Sequence, residues 1–241
     1  MNDSKNANIT LAAFLIALGI ASSGYFIGQT MYNSKVGINT AEVKGLAERR
    51  VDADRAYWQI QYTVSGNEKS QIAQLYEQSE IAQSQVVELL MGSGFSDAEI
   101  VPGVIDYRRS EYRDEDQNLV EERFLLIGSI EVETDQVQLL ASARSEMNQL
   151  ISRGIDITNN APSYYFTKLN DIKPAMLQEA TKNARLAANE FAENAGVEVG
   201  GIRNARQGGF IIRDVGENYG DTKKIEKDVR VVTTITFYLT E

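Results

Sequence analysis

By residue type, the only abundant groups that could do acid-base or ligand chemistry in this 241-residue chain are carboxylates, because it contains neither Cys nor His. That absence removes disulfides, thiol nucleophiles, His-based triads and the commonest transition-metal ligands together. The densest carboxylate run is Asp114-Glu115-Asp116, with Glu121 and Glu122 close by, and such oxygens suit a hard cation. The run lacks the Gly and the spaced ligands of a calcium loop, so it reads as a solvated hairpin tip. A pair of carboxylates for glycoside chemistry cannot be picked from 34 acidic residues without geometry. Gln207-Gly208-Gly209 and Gly216-x-x-x-Gly220 lack the strand-loop-helix setting and the Lys-Ser/Thr ending of a phosphate cradle, and read as strand irregularity and loop. Trp58, on an alternating strand, reads as core. No catalytic, cofactor-binding or metal-binding residue is assigned, and the expectation is a non-enzyme without a cofactor.

The elements that would have to carry any function begin with residues 9–32, ITLAAFLIALGIASSGYFIGQTMY, inside a stretch 6–34 free of Asp, Glu, Lys and Arg. A hydrocarbon core of roughly 30 Å needs about 20 apolar residues at about 1.5 Å each. Tyr25, Tyr32 and Lys35 stand toward the far interface. Two other readings compete. Residues 9–20 have the length of a signal-peptide core, with Ala21-Ser22-Ser23 as a cleavage site before Gly24; a single Lys ahead of the core and the continuing apolar run Tyr25-Phe26-Ile27 speak for retention. A buried core helix is the other, but a segment apolar all round has no face to show water. Along the segment Ala13, Ala17, Ala21, Gly24 and Gly28 share a helical side, so Ala17, Ala21, Gly24 and Gly28 are expected to be a membrane-helix packing face.

The expected organisation is a short tail at 1–8, a transmembrane anchor at 9–32, a linker at 33–40 and an α+β domain at 41–241. A hydrophobic fraction of 43% and only three Pro argue for a folded body. The net charge of −10 makes nucleic acid an unfavourable partner. The pairs Arg49-Arg50, Arg108-Arg109 and Lys223-Lys224 are isolated. Charge does not fix orientation: Lys5 lies on one side of the segment, Lys35 and Lys44 on the other.

Beyond residue 40, the reading is strands at 43–48 and 53–64, the second alternating Ala56, Trp58, Ile60, Tyr62 and Val64 with polar residues. A helix capped by Asn67 follows, with Ile72, Leu75, Tyr76, Ala82, Val86, Leu89 and Leu90 at helical spacing and an end at Gly92 or Gly94. A long hairpin spans 100–113 and 119–133. A second helix capped by Thr134 or Asp135 ends at Gly154, and a short strand pair is expected at 155–159 and 163–169. A third helix starts at Asp171 with Pro174 in its first turn, and its Ala series predicts close packing. A last strand pair covers 202–213 and 228–239. The resulting order is ββ-αββ-αββ-αββ, antiparallel hairpins covered by three helices.

The run from Met176 through Gly201, MLQEATKNARLAANEFAENAGVEVGG, resembles the signature of SIMPL-domain proteins. Its helix carries Ala180, Ala184, Ala188 and Ala192, and Gly196 and Gly200 lead into a strand. Val43-x-Gly45, Gly94 before Ile100, and Gly154-Ile155 match as well, so the resemblance covers roughly residues 42–240. It implies a SIMPL-type fold and a bacterial cell-envelope protein, with relatives that are periplasmic or outer-membrane associated, that assemble into large homo-oligomers, or that are linked to oxidative-stress defence. No catalytic residues come with it. With a retained anchor, the implied location is the inner membrane, single-pass, with the C-terminal domain in the periplasm. Partners are then the membrane and a second copy of the chain. The alternative is an adaptor or ligand-binding module for another envelope protein.

Overall fold

The run of apolar or small residues at 9–28, without alternation, leaves a helix as the only regular structure for the N-terminal segment, and the computed structural model, which describes residues 3–35 and 39–240, has one there. Helix α1 (Asp3–Lys35) takes in most of the expected tail and the start of the linker; residues 1, 2 and 36–38 of those segments lie outside the described residues. Every residue from 11 to 33 is exposed. Within α1, Leu11–Asn33 has a mean hydropathy of 1.9 and is long and apolar enough to cross a membrane. Two of its hydroxyls are closed internally: Ser22 donates to the Leu18 carbonyl at 2.8 Å and Thr30 to the Phe26 carbonyl at 2.7 Å. A helix in hydrocarbon must satisfy its polar groups this way.

Strands β1 (Thr40–Asp52) and β2 (Arg55–Gly66) alternate as the sequence requires, and β2 turns Ala56, Trp58, Ile60 and Tyr62 into the core. A turn of 3-10 helix at Lys69–Gln71 then opens α2 (Ile72–Gly92), so Asn67 is not its cap. The buried stripe of α2 is Leu75, Ser79, Ala82, Val86 and Leu90, while Tyr76 faces solvent. Next come β3 (Ile100–Pro102), β4 (Asp106–Arg113) and β5 (Leu119–Thr134), then α3 (Leu139–Ser152). Thr134 starts the turn ahead of α3 by accepting the Gln136 N–H at 2.9 Å, but no side chain caps the helix itself. After β6 (Asp156–Asn159) and β7 (Ser163–Tyr165), α4 (Leu169–Ala195) begins two residues earlier than Asp171, which places Pro174 deeper in the helix. The chain closes with β8 (Glu198–Gln207), β9 (Ile211–Asp214) and β10 (Glu226–Thr240).

The class is α+β with antiparallel sheets, as expected, but the strand order is not ββ-αββ-αββ-αββ. One sheet runs β1-β10-β8 with β9 also on β10; the other runs β3-β5-β2-β6 with β4 on β5 and β7 on β2. Segments expected as continuous strands or as a hairpin are strands broken by one extra residue. Pro102 pairs with Ile130 and Asp106 with Ile127, so four steps of chain lie against three. The same offset separates Asn159 from Ser163 along β2, and Gln207 from Ile211 along β10. Bulges of this kind tolerate a residue without an N–H or without a Cβ. Pro102 and Pro162 supply the first. Gly208 supplies the second, since a Cβ there would stand 2.7 Å from the Val232 carbonyl oxygen. The expected pair at 155–169 is thus a single split strand beside β2 and not a hairpin.

Contacts group the chain into two units. The first holds residues up to Ala47, Ala175–Gly209 and those from Val231 on; the second holds Glu48–Pro174 and Phe210–Arg230. The core of the second unit is built on Trp58, Ile60, Tyr62, Val86, Leu90, Ile130, Leu140 and Met147. Each such side chain contributes about 1.5–3 kcal/mol by leaving water. Trp58 carries its indole N–H to the Asn160 carbonyl at 2.9 Å, inside the bulge between β6 and β7. Tyr62 lies directly across the ladder from Gly128, and a Cβ on Gly128 would fall within the Tyr62 ring. Gly128→Ala is therefore expected to cost about 2–3 kcal/mol in urea unfolding, and Tyr62→Leu in the same chain to recover part of it.

Candidate functional site

In the first unit, the face of α4 that packs on the sheet has an Ala or a Met every fourth residue. Met176, Ala180, Ala184, Ala188 and Ala192 are all buried, so the helix lies unusually low. The closest approach is at Gly45 of β1, where a Cβ would land on the carbonyl oxygen of Ala180 and within 2.5 Å of the Ala184 nitrogen. Gly196, at φ +70°, ends the helix, and the Val197 N–H returns to the Ala192 carbonyl at 3.0 Å. Gly200 sits where a Cβ would be 3.2 Å from the Tyr238 carbonyl oxygen. Of the six family-motif positions, Ala180, Ala184, Ala188 and Ala192 form the buried packing face, Gly196 ends the helix and Gly200 lies close to the Tyr238 backbone; none carries a reactive group.

Beside that seam runs a groove of about 640 Å³, lined by Leu177, Thr181, Lys182 and Leu186 of α4, Ile202 of the edge strand β8, and Phe237 at its floor. Leu186 and Ile202 are half exposed. Arg185 crosses it: the guanidinium stands 5.1 Å from the Phe237 ring centroid and donates to the Gly200 carbonyl at 3.0 Å and the Val199 carbonyl at 3.2 Å. Lys182 is left at the rim. An apolar floor with a cationic rim suits a hydrophobic molecule or side chain bearing an anionic end. Sequence reasoning missed the groove because its residues belong to the flank of α4 and to a split strand, and none is of a type that signals chemistry.

The second unit has a cavity of about 400 Å³ between β2, α2 and the start of β6, whose one carboxylate is Asp156. The acidic turn is used by its own backbone. Asp114 accepts the Asn118 N–H at 2.8 Å and the Asp116 N–H at 3.0 Å, and these bonds hold its carboxyl below the usual carboxylate range. Glu111 is lowered in the same way, first by Arg113 and then by Arg109. Gly216 and Gly220 both take positive φ in the loop between β9 and β10, which is a turn requirement and not a phosphate cradle. Among the described residues, no group of three or more acidic side chains is placed to hold a metal ion.

On α1, Gly24 and Gly28 stand one turn apart and, with Tyr25, Gln29 and Tyr32, border a shallow notch in the helix surface. Ala17 and Ala21 continue that side toward the N-terminus, exposed like their neighbours. The notch exists because Gly24 and Gly28 carry no side chains.

Antiparallel sheets with split strands, a low-lying Ala helix and a membrane-length N-terminal helix define an α+β class. The SIMPL family model, described as a protein of unknown function (DUF541), matches residues 41–237, and the chain belongs to that family. No curated protein matches the chain.

Proposed function

We propose that the chain is a non-catalytic protein of the bacterial cell envelope, held in the inner membrane by α1 with the SIMPL domain in the periplasm, and that it works by assembling with copies of itself. The observation that carries this reading is the 23-residue stretch Leu11–Asn33 of α1, with a mean hydropathy of 1.9 and none of it buried. At about 1.5 Å per residue such a helix spans the hydrocarbon layer. Leaving it in water would expose far more contiguous apolar surface than a soluble monomer tolerates. The notch at Gly24 and Gly28 supports a helix-to-helix contact within the membrane, and the family resemblance supports an assembling envelope protein with a part in stress defence. The full chain is expected to stay in the membrane pellet through alkaline carbonate washing and to leave it only with detergent. Gly24→Leu/Gly28→Leu is expected to reduce the oligomer size in detergent without releasing the chain from the pellet. Release by carbonate would remove the anchor; an unchanged oligomer would remove the glycine face from the assembly.

The groove beside Arg185 favours a second reading, a ligand-binding or adaptor module. Under it, the domain presents Phe237, Ile202 and Lys182 to an amphiphilic molecule or to another envelope protein. Lys182→Glu/Ile202→Asp then lowers capture of that partner in cross-linking while leaving self-adducts unchanged.

A further inference from the structure

Strand β4 is exposed along its whole length, all eight residues from Asp106 to Arg113. It pairs with β5 alone, and its other edge is free among the described residues. The pairing of β5 with β2 ends at Phe124 opposite Gly66, so residues 119–123 of β5 are bonded only to β4. The outer half of the hairpin is therefore a two-stranded ribbon carrying exposed Tyr112, Leu119 and Val120. A lone two-stranded ribbon is marginal in water and gains most from further strands.

The sequence of β4, DYRRSEYR, is self-complementary in one register. A two-fold axis relating antiparallel edge strands must be perpendicular to the sheet. It keeps every side chain on its own face and passes through a single residue. Among centres that pair five residues or more, Arg108, Arg109 and Glu111 each set a like charge against itself. Ser110 does not. With the axis at Ser110, each Arg109 faces a Glu111 and each Arg108 faces a Tyr112 of the other copy, giving two ion pairs and two cation-aromatic contacts. Arg109 and Glu111 already bind each other within the chain, and Arg109 also binds Glu122, so the charges are held in the ladder and ready to pair.

We infer that the free edge of β4 is a self-recognition edge, at which two copies of the chain join antiparallel about Ser110 into a continuous β5-β4-β4-β5 sheet. This rests on the reading of the chain as self-associating and gives that association its soluble contact.

The test uses the full chain in detergent, where the absence of native Cys makes a single introduced thiol an unambiguous reporter. Across an antiparallel pair the Cα atoms are about 4.5–5.5 Å apart, within disulfide range. Ser110→Cys is expected to give a covalent dimer as the main product of mild oxidation, and Ser84→Cys, exposed on α2, to give at least fivefold less. In the Ser110→Cys chain, Arg109→Glu or Glu111→Arg is expected to lower the yield at least fivefold, and the two together to restore it. Equal cross-linking at positions 110 and 84, or charge reversal without effect, overturns the edge. If Ser110→Cys gives no dimer while the chain remains oligomeric by light scattering, the edge is wrong and assembly through α1 stands. If the chain is a monomer in detergent, both fall.

Discussion

Gly45→Val is expected to cost more than about 3 kcal/mol and to strip α4 from β1, read as loss of the cooperative urea transition and as protease cleavage within 175–195. The magnitude follows from what the new side chain would meet. At Gly45 the obstacles are the carbonyl oxygen of Ala180 and the nitrogen of Ala184, backbone atoms that cannot rotate away. Trimming the helix should therefore fail as a remedy: Ala184→Gly in the same chain is expected to leave the defect in place, since the conflict is with the main chain. Gly201→Ala is the matched control. No heavy atom lies within 4 Å of a Cβ there, and its effect is expected to stay within about 0.5 kcal/mol.

Lys227→Met is expected to be comparably damaging, about 3–5 kcal/mol. Lys227 and Asp214 face each other across the β9-β10 ladder at 2.6 Å, with side-chain exposures of 0% and 1%. The ammonium also donates to the Asp221 carbonyl at 2.5 Å, and Asp214 accepts the N–H groups of Lys223 at 2.9 Å and Lys224 at 3.2 Å. The pair thus closes the loop between the two strands. Removing the cation alone leaves a buried carboxylate with only its backbone donors. Lys227→Met/Asp214→Asn, which removes the unpaired buried charge and keeps an acceptor for one of the two backbone donors, is expected to recover part of the loss. The pH dependence has a definite sign. Burial pushes the Asp214 carboxyl up, but the bond from Lys227 and the bonds from Lys223 and Lys224 together bring it below the ordinary carboxylate value. A lowered folded value means this stabilisation is complete above the unfolded carboxylate pKa and disappears as pH falls through the folded one. In Lys227→Met, acid unfolding is expected to begin at higher pH than in the parent chain.

Most of the architecture could be read from residue patterns. The alternation in β2 placed Trp58, Ile60 and Tyr62 inward, the four-residue Ala spacing placed the buried side of α4, and the even apolar run of 9–32 gave α1. Those signals survive because burial on one face dictates the period. The bulges could not be read, because adding one residue to a strand changes register without changing composition; Pro102, Pro162 and Gly208 mark the places only once the partners are known. Asn67 misled for a related reason. A capping side chain is a local preference, and the 3-10 turn at Lys69–Gln71 displaced the helix start beyond it. The Ala series of α4 reads as a close-packing face, but the strand it approaches, β1 at Gly45, carries no residue pattern that names it as the partner. The groove at Phe237 and Ile202 gave no sequence signal, since apolar residues on a strand look like core.

The claim on which the functional account rests is that α1 holds an assembled protein in a membrane. Light scattering of the full chain, extracted from washed membranes into detergent and corrected for bound detergent, tests it directly. The account predicts a protein mass that is a multiple of the 26.8 kDa protomer. A single protomer mass, or full-length chain recovered from the wash and not from the membranes, would contradict it.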